Sequence, residues 1–216
     1  IAIAADSSQQ QVSIILLGGL KLENYPKHNS SWIVSKTDST YSSSKLDWMN
    51  NLGASGTTTL SDLNNDGIED LVMGVENGPV ITVLGPIKPD SKPTVIGAKN
   101  ARGWWQGIEC SDLDGDGDKD IILGNTGRNM LPQISQENPL IIFTGDLDKN
   151  GKADPLIIHK DRKGRKHFLQ SRDDLVKQVP SLNRVYQSYS SYADSDVSDL
   201  LPDSILRLHS DTVNEL

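Results

Sequence analysis

The chain is short of several things, and each shortage removes a class of protein. One cysteine, Cys110, stands in 216 residues. No intrachain disulfide can form, so this is not a small disulfide-held scaffold. Only two phenylalanines and a hydrophobic share of 36% argue against a thick helical core. No apolar run approaches the roughly 18–20 residues of a membrane span. Basic residues are outnumbered, 21 Lys and Arg against 29 Asp and Glu, for a formal charge of −8. Sequence-independent nucleic-acid binding needs clustered Lys and Arg, so the balance disfavours it. The opening "IAIAADSSQQ" has neither an initiator Met nor a basic n-region and reads as a processed start, not a signal peptide.

What the chain does contain is turn residues, 18 Gly and 10 Pro, which suit a β protein of short strands and many turns. The length allows one or two domains.

Self-comparison exposes a repeat. "DLNNDGIED" (62–70), "DLDGDGDKD" (112–120) and "DLDKNGKAD" (146–154) are one pattern, Asp-Leu-[Asp/Asn]-x-[Asp/Asn]-Gly-x-x-Asp, starting 50 and then 34 residues apart. A short apolar run follows each: "LVMGV", "IILGN" and "PLIIH". These runs are too short for helices and read as strands. In the first copy the turn "ENG" leads to a further strand, "PVITVLG". "WWQGIECSDL" reads as the strand entering the second loop, and "QVSIILLGG" as the late strand of an earlier unit. The predicted unit is strand, acidic loop, strand, turn, strand.

Alternating carboxylates followed by glycine suit a hard cation with oxygen ligands. Calcium takes six to eight, from side chains at loop positions 1, 3, 5 and 9 and from the backbone carbonyl at position 7, with Gly at position 6 making the sharp turn. The first site would use Asp62, Asn64, Asp66, the carbonyl of Ile68 and Asp70. The second would use Asp112, Asp114, Asp116, the carbonyl of Asp118 and Asp120, leaving the Asp118 side chain free. The third would use Asp146, Asp148, Asn150, the carbonyl of Lys152 and Asp154. Magnesium prefers rigid octahedra and keeps its waters, and zinc would want His or Cys, which the loops lack. An EF-hand needs a bidentate Glu at position 12, where this chain has Met73, Leu123 and Ile157. The bland alternative is an acidic surface turn with no ion. Four, five and three acidic side chains crowd the three loops, and three bound calcium ions would offset six negative charges.

Residues 171–216 carry helix punctuation instead. Ser171 and Asp174 form a capping-box-like pair. Ser181 is expected to cap a helix with Leu182, Val185, Tyr186 and Tyr189 on one face, and Ser195 a shorter one carrying Val197, Leu200 and Leu201. "HKDRKGRKH" (159–167) reads as a basic, exposed connection. Tyr186, Tyr189 and Tyr192 are expected to pack this segment. Adjacent Trp104 and Trp105 face opposite sides of a strand; one packs between units and the other can be exposed, where Trp can stack on sugars. "GNTGRN" (124–129) lacks a phosphate-loop setting and reads as a turn, with Arg128 pairing a carboxylate. Asn29-Ser30-Ser31 is a glycosylation sequon. His28, His159, His167 and His209 lie outside the acidic loops, and there is no G-x-S-x-G elbow or H-E-x-x-H. The carboxylates assigned to calcium would be poor acids or bases.

"DLNNDGIEDLVMGVENGPVITVLG" resembles the FG-GAP or VCBS repeat, which builds the blades of β-propellers such as the integrin α-subunit head. "GWWQGIECSDLDGDGDKDIILGNTGRN", "PLIIFTGDLDKNGKADPLI" and "YQSYSSYADSDVSDLL" are similar to bacterial VCBS-repeat proteins with an ASPIC-type C-terminal region. The resemblance covers roughly residues 45–205. It implies a mainly β fold: a partial propeller of about three blades, each a four-stranded antiparallel sheet with calcium in a hairpin loop, plus a short helical segment. A propeller needs at least four blades, so the chain is expected to be a fragment of a longer protein or to close through a partner. The expected division is blades over 1–158 and a helical connector over 159–216. The implied function is a calcium-binding, non-catalytic adhesion or recognition scaffold. It would be extracellular or cell-surface, hold about three Ca²⁺ and take a protein or carbohydrate ligand, with no nucleic acid and no membrane span. The alternative is an accessory or catalytic propeller domain of a polysaccharide-acting enzyme.

Overall fold

In a computed structural model, the residues described are 12–18, 30–97, 101–126, 132, 134–202 and 210–213. They form a mainly β protein of four antiparallel sheets and two short α-helices. The chain divides into two compact units, residues 1–126 and 127–216. No helix among the described residues is long and apolar enough to cross a membrane.

In the first unit, β1 (Val12–Leu16), β2 (Trp32–Thr37) and β3 (Thr40–Lys45) form a three-stranded sheet. A four-stranded meander follows: β4 (Ser55–Ser61), β5 (Asp70–Val75), β6 (Val80–Val83) and β7 (Thr94–Ile96). Then come β8 (Trp105–Ser111) and β9 (Asp120–Asn125), paired to each other. The first repeat therefore realises the expected strand, acidic loop, strand, turn, strand. In the second repeat the turn and Arg128 lie outside the described residues.

β5 explains why the meander is central. All six of its residues are buried. Side chains alternate across a strand, and the alternation sends them into two cores. Leu71, Met73 and Val75 join Ile15, Leu17, Ile33, Leu46 and Met49 on one face. Val72 joins Val80 and Ile108 on the other. A strand covered on both faces reads as a continuous apolar run, as "LVMGV" does. Each fully buried Leu or Met here contributes about 2–3 kcal/mol through desolvation alone. Gly74 falls on the second face for a steric reason: a Cβ there would lie 2.6 Å from Cβ of Trp105. The glycine lets the indole close over β5.

The second unit contains β10 (Leu140–Phe143), β11 (Leu156–Lys160), β12 (Lys166–Phe168) and β13 (Ser210–Val213), in the order β12-β11-β10-β13. The helices α1 (Arg172–Gln178) and α2 (Tyr189–Asp194) lie in the same unit. Phe143, Leu156, Ile158 and Phe168 share one core with Leu175, Val179, Leu182, Tyr186, Val197 and Leu201. The strands of this sheet thus share a core with the helical segment, and residues 158 and 159 both lie within β11.

Several local expectations are revised. Residues 159–167, expected as a basic, exposed connection, form the β11–β12 hairpin, with His159 opposite His167, Asp161 closing the turn and Arg162, Lys163 and Arg165 exposed on it. Its carboxylate accepts from the backbone N–H of Lys163 and Arg165 and from Nε of Arg165. These bonds, together with His167, outweigh desolvation and hold the carboxyl below the usual carboxylate range. Ser181 does not cap a helix: Pro180 starts a 3₁₀ turn one residue earlier, over Pro180–Arg184, because its fixed φ suits a first helical position. Leu182 and Tyr186 are buried, but Val185 and Tyr189 are exposed. Ser188 caps α2 through a capping box with Ser191. Asp196, not Ser195, caps the turn Val197–Asp199, accepting from Ser198 N at 2.8 Å. Ser171 does cap α1, accepting from Asp174 N. Of the tyrosines, Tyr186 is buried edge-on to Tyr192, whose hydroxyl donates to Gln170 O. Tyr189 is exposed and donates to Asp173 instead.

Candidate functional site

Each acidic loop joins two antiparallel strands: β4 to β5, β8 to β9 and β10 to β11. All three share one hydrogen-bonding scheme. The position-1 carboxylate accepts the position-6 N–H: Asp62 from Gly67 at 2.8 Å, Asp112 from Gly117 at 3.0 Å, Asp146 from Gly151 at 2.9 Å. The position-3 side chain accepts the position-5 N–H, at Asn64, Asp114 and Asp148. The position-5 side chain accepts the N–H of position 7, at Asp66, Asp116 and Asn150. The position-9 carboxylate reaches back to the leucine N–H at position 2: Asp70 to Leu63, Asp120 to Leu113, Asp154 to Leu147. These bonds curl each loop around its oxygen-bearing side chains.

The curl needs two left-handed residues per loop. Position 6 is one, with φ of 83° at Gly67, 95° at Gly117 and 85° at Gly151, where glycine alone carries no Cβ penalty. Position 4 is the other: Asn65, Gly115 and Lys149, at φ of 59°, 80° and 61°. That second requirement is not in the expected pattern. Asn and Gly, two of its three occupants, are the residues that visit this region most readily; Lys149 conceals it.

The structure brings the expected ligands together in two loops by direct measure. Carboxylate oxygens of Asp112, Asp114 and Asp116 lie within 4.8 Å of one another, as do those of Asp146, Asp148 and Asp154. In the first loop Asn64 Nδ2 donates to Asp66 Oδ2 at 3.0 Å, but Asp62, Asp66 and Asp70 form no such cluster. Position 9 differs among the copies. Asp70 is fully buried and Asp154 nearly so, while Asp120 is exposed. Asp70 has a second task, since its other oxygen accepts from Gly85 N at 2.7 Å and ties the loop to the residue beyond β6. Desolvation pushes the Asp154 carboxyl up, with Asp148 and Asp146 adding to the rise.

Asp118, expected to have a free side chain, does not. Asn65 Nδ2 donates to Asp118 Oδ1 at 2.9 Å. The position-4 amide of the first loop thus touches the position-7 side chain of the second. The contact spans 53 residues, and no local pattern announces it.

The donor set fits a hard divalent cation. Every side-chain donor is oxygen, most are carboxylate, and each loop's backbone N–H groups already hold those oxygens in place. The positions that would hold the ion are 1, 3 and 5, joined by 9 and by the carbonyls of Ile68, Asp118 and Lys152.

With this geometry in hand, comparison with known proteins gives one match. Residues 62–123 match the family model of the FG-GAP-like repeat. The matched stretch runs from the first acidic loop through most of β9, and supports reading the chain as an FG-GAP repeat protein. No curated protein and no solved structure matches the chain. The third loop lies outside the matched stretch, yet it repeats the four bonds that the other two share.

Proposed function

We propose that this chain is a calcium-braced, non-catalytic recognition scaffold. Its sheets are blades of a β-propeller in a secreted or cell-surface protein. One observation carries the reading: three loops far apart in sequence hold equivalent oxygen-bearing side chains by the same four hydrogen bonds. Calcium would tie each loop by neutralising carboxylates that otherwise repel, and so brace the strand pair that flanks it.

A ligand that binds only the folded state stabilises it by RT ln(1 + [L]/Kd). Extracellular calcium modules often have Kd of about 10⁻⁴–10⁻³ M, so calcium at about ten times Kd adds about 1.4 kcal/mol per site. Melting with millimolar calcium, against the same buffer with a chelator, is expected to raise the midpoint by at least about 4 °C. Identical midpoints would remove the bracing role.

A further inference from the structure

At the opposite ends of β4 and β8 from their acidic loops, the first unit has an open groove of about 350 Å³ lined by Gly56, Thr57, Glu76, Trp104, Trp105 and Gln106. Both strands have seven residues, so the groove lies on the order of 20 Å from the loops. It is a place apart from the metal positions.

The two tryptophans divide the work. Trp105 packs into the core over Gly74 and Gly103, with its indole N–H on Gly78 O at 2.8 Å. Trp104 is held differently: its indole N–H donates to Oδ1 of buried Asn77 at 2.6 Å. Its carbonyl accepts the N–H of Thr126. Its polar edge is therefore committed within the protein and its ring is fixed in the groove wall before any ligand arrives. Such preorganisation lowers the entropy cost of binding.

Glu76 is the unexplained group. It is half-buried at the end of β5, its backbone N–H is bonded to Ala54 O, and its carboxylate has no hydrogen bond or ion pair among the described residues. Burial pushes its carboxyl up, as expected of a carboxylate losing water with nothing in return. Thr57 adds a hydroxyl and Gln106 an amide, whose Nε2 rests on the Thr126 hydroxyl at 3.3 Å.

We propose that this groove binds a neutral pyranose sugar, as the terminal or internal unit of a glycan, through Trp104, Glu76, Thr57 and Gln106. This names the ligand class of the recognition scaffold proposed above and rests on that reading, but not on its calcium. A sugar ring has an apolar C–H face for an indole and an edge of hydroxyls that donate to a carboxylate. Anionic ligands would meet Glu76, and purely apolar ones would strand it. A cation would pair with Glu76 but leave the hydroxyl and amide unused. The volume sits at the low end of ligand pockets and suits one or two rings.

The test is calorimetric titration of the full chain with a panel of neutral sugars (glucose, galactose, mannose, N-acetylglucosamine and their β-linked disaccharides), with choline and galacturonate alongside. At least one neutral sugar is expected to bind with Kd of about 10⁻³ M or tighter. Trp104→Ala is expected to weaken it at least about tenfold, and Glu76→Gln by about tenfold. Trp48→Phe, whose indole bonds Lys88 O elsewhere in the unit, should leave it unchanged. Should Trp104→Ala melt early, Glu76→Gln and Gln106→Ala decide the matter. No neutral sugar binding at about 20 mM, binding that survives these substitutions, or binding of choline alone would overturn the proposal. Sugar binding with no calcium-dependent melting shift would overturn the calcium reading and leave this one standing; the reverse pattern would do the opposite.

Discussion

Asp70→Ala is expected to destabilise residues 1–126 by about 3–5 kcal/mol, even with calcium absent. Asp70 is fully buried, and each of its oxygens satisfies a backbone donor, Leu63 N at 3.0 Å and Gly85 N at 2.7 Å. Alanine leaves both donors without an acceptor, and an unsatisfied buried group costs about 1–3 kcal/mol. The loss reaches two connections of the meander, because Leu63 lies in the loop between β4 and β5 and Gly85 follows β6. Asp70→Asn keeps one acceptor and should cost roughly half as much. Asp120→Ala, the same position in the second loop, removes a bond from an exposed carboxylate and should cost only about 1 kcal/mol. Urea denaturation of the three variants in chelator checks the order. Equal effects at 70 and 120 would mean that burial of Asp70 does not set its weight.

Phe143→Ala should destabilise the second unit by about 3–5 kcal/mol, the range for deleting a buried aromatic ring. Phe143 is 2% exposed at the end of β10, in the core shared by strands and helices. Its ring also lies over Gly145, leaving no room there for a side chain. Because Gly145 directly precedes Asp146, the cavity would open beside the third loop's entrance. Phe143→Leu fills most of the volume and should cost less than about 2 kcal/mol. Hydrogen exchange resolves the effect by unit: amides of β10 and β11 should lose protection, while those of β5 keep it. Uniform loss across both units would contradict the division of the chain.

The acidic loops were legible because their chemistry is local. Oxygen at positions 1, 3, 5 and 9 and glycine at 6 are written within nine residues, and the structure turns each into a hydrogen bond or a left-handed φ. The strands around them were legible for the same reason: "LVMGV" is an apolar run too short for a helix, and β5 is buried along its whole length. What escaped depends on distance or on a competing local preference. The Asn65–Asp118 bond joins loops 53 residues apart. The pairing of His159 with His167 has no apolar alternation to reveal it, although Gly164, at φ 81°, marks the turn between them. Pro180 displaced the expected Ser181 cap by outranking it locally. Phe143 and Leu156 meet Leu175 and Val179 in one core, a meeting no pattern in either segment predicts. The tryptophan pair, expected on opposite sides of a strand, instead lines one groove, and Trp105 is seated by Gly74 of β5 and by Gly103, contacts that the dipeptide itself does not announce.

Calcium titration of the metal-stripped chain by calorimetry tests the central claim most directly. The account predicts saturable binding of about three ions, with affinities of about 10⁻⁴–10⁻³ M. It also predicts loss of one site in Asp112→Ala and of another in Asp146→Ala, and little competition from magnesium. Absence of binding at about 10 mM calcium, or binding unchanged in both variants, would contradict it.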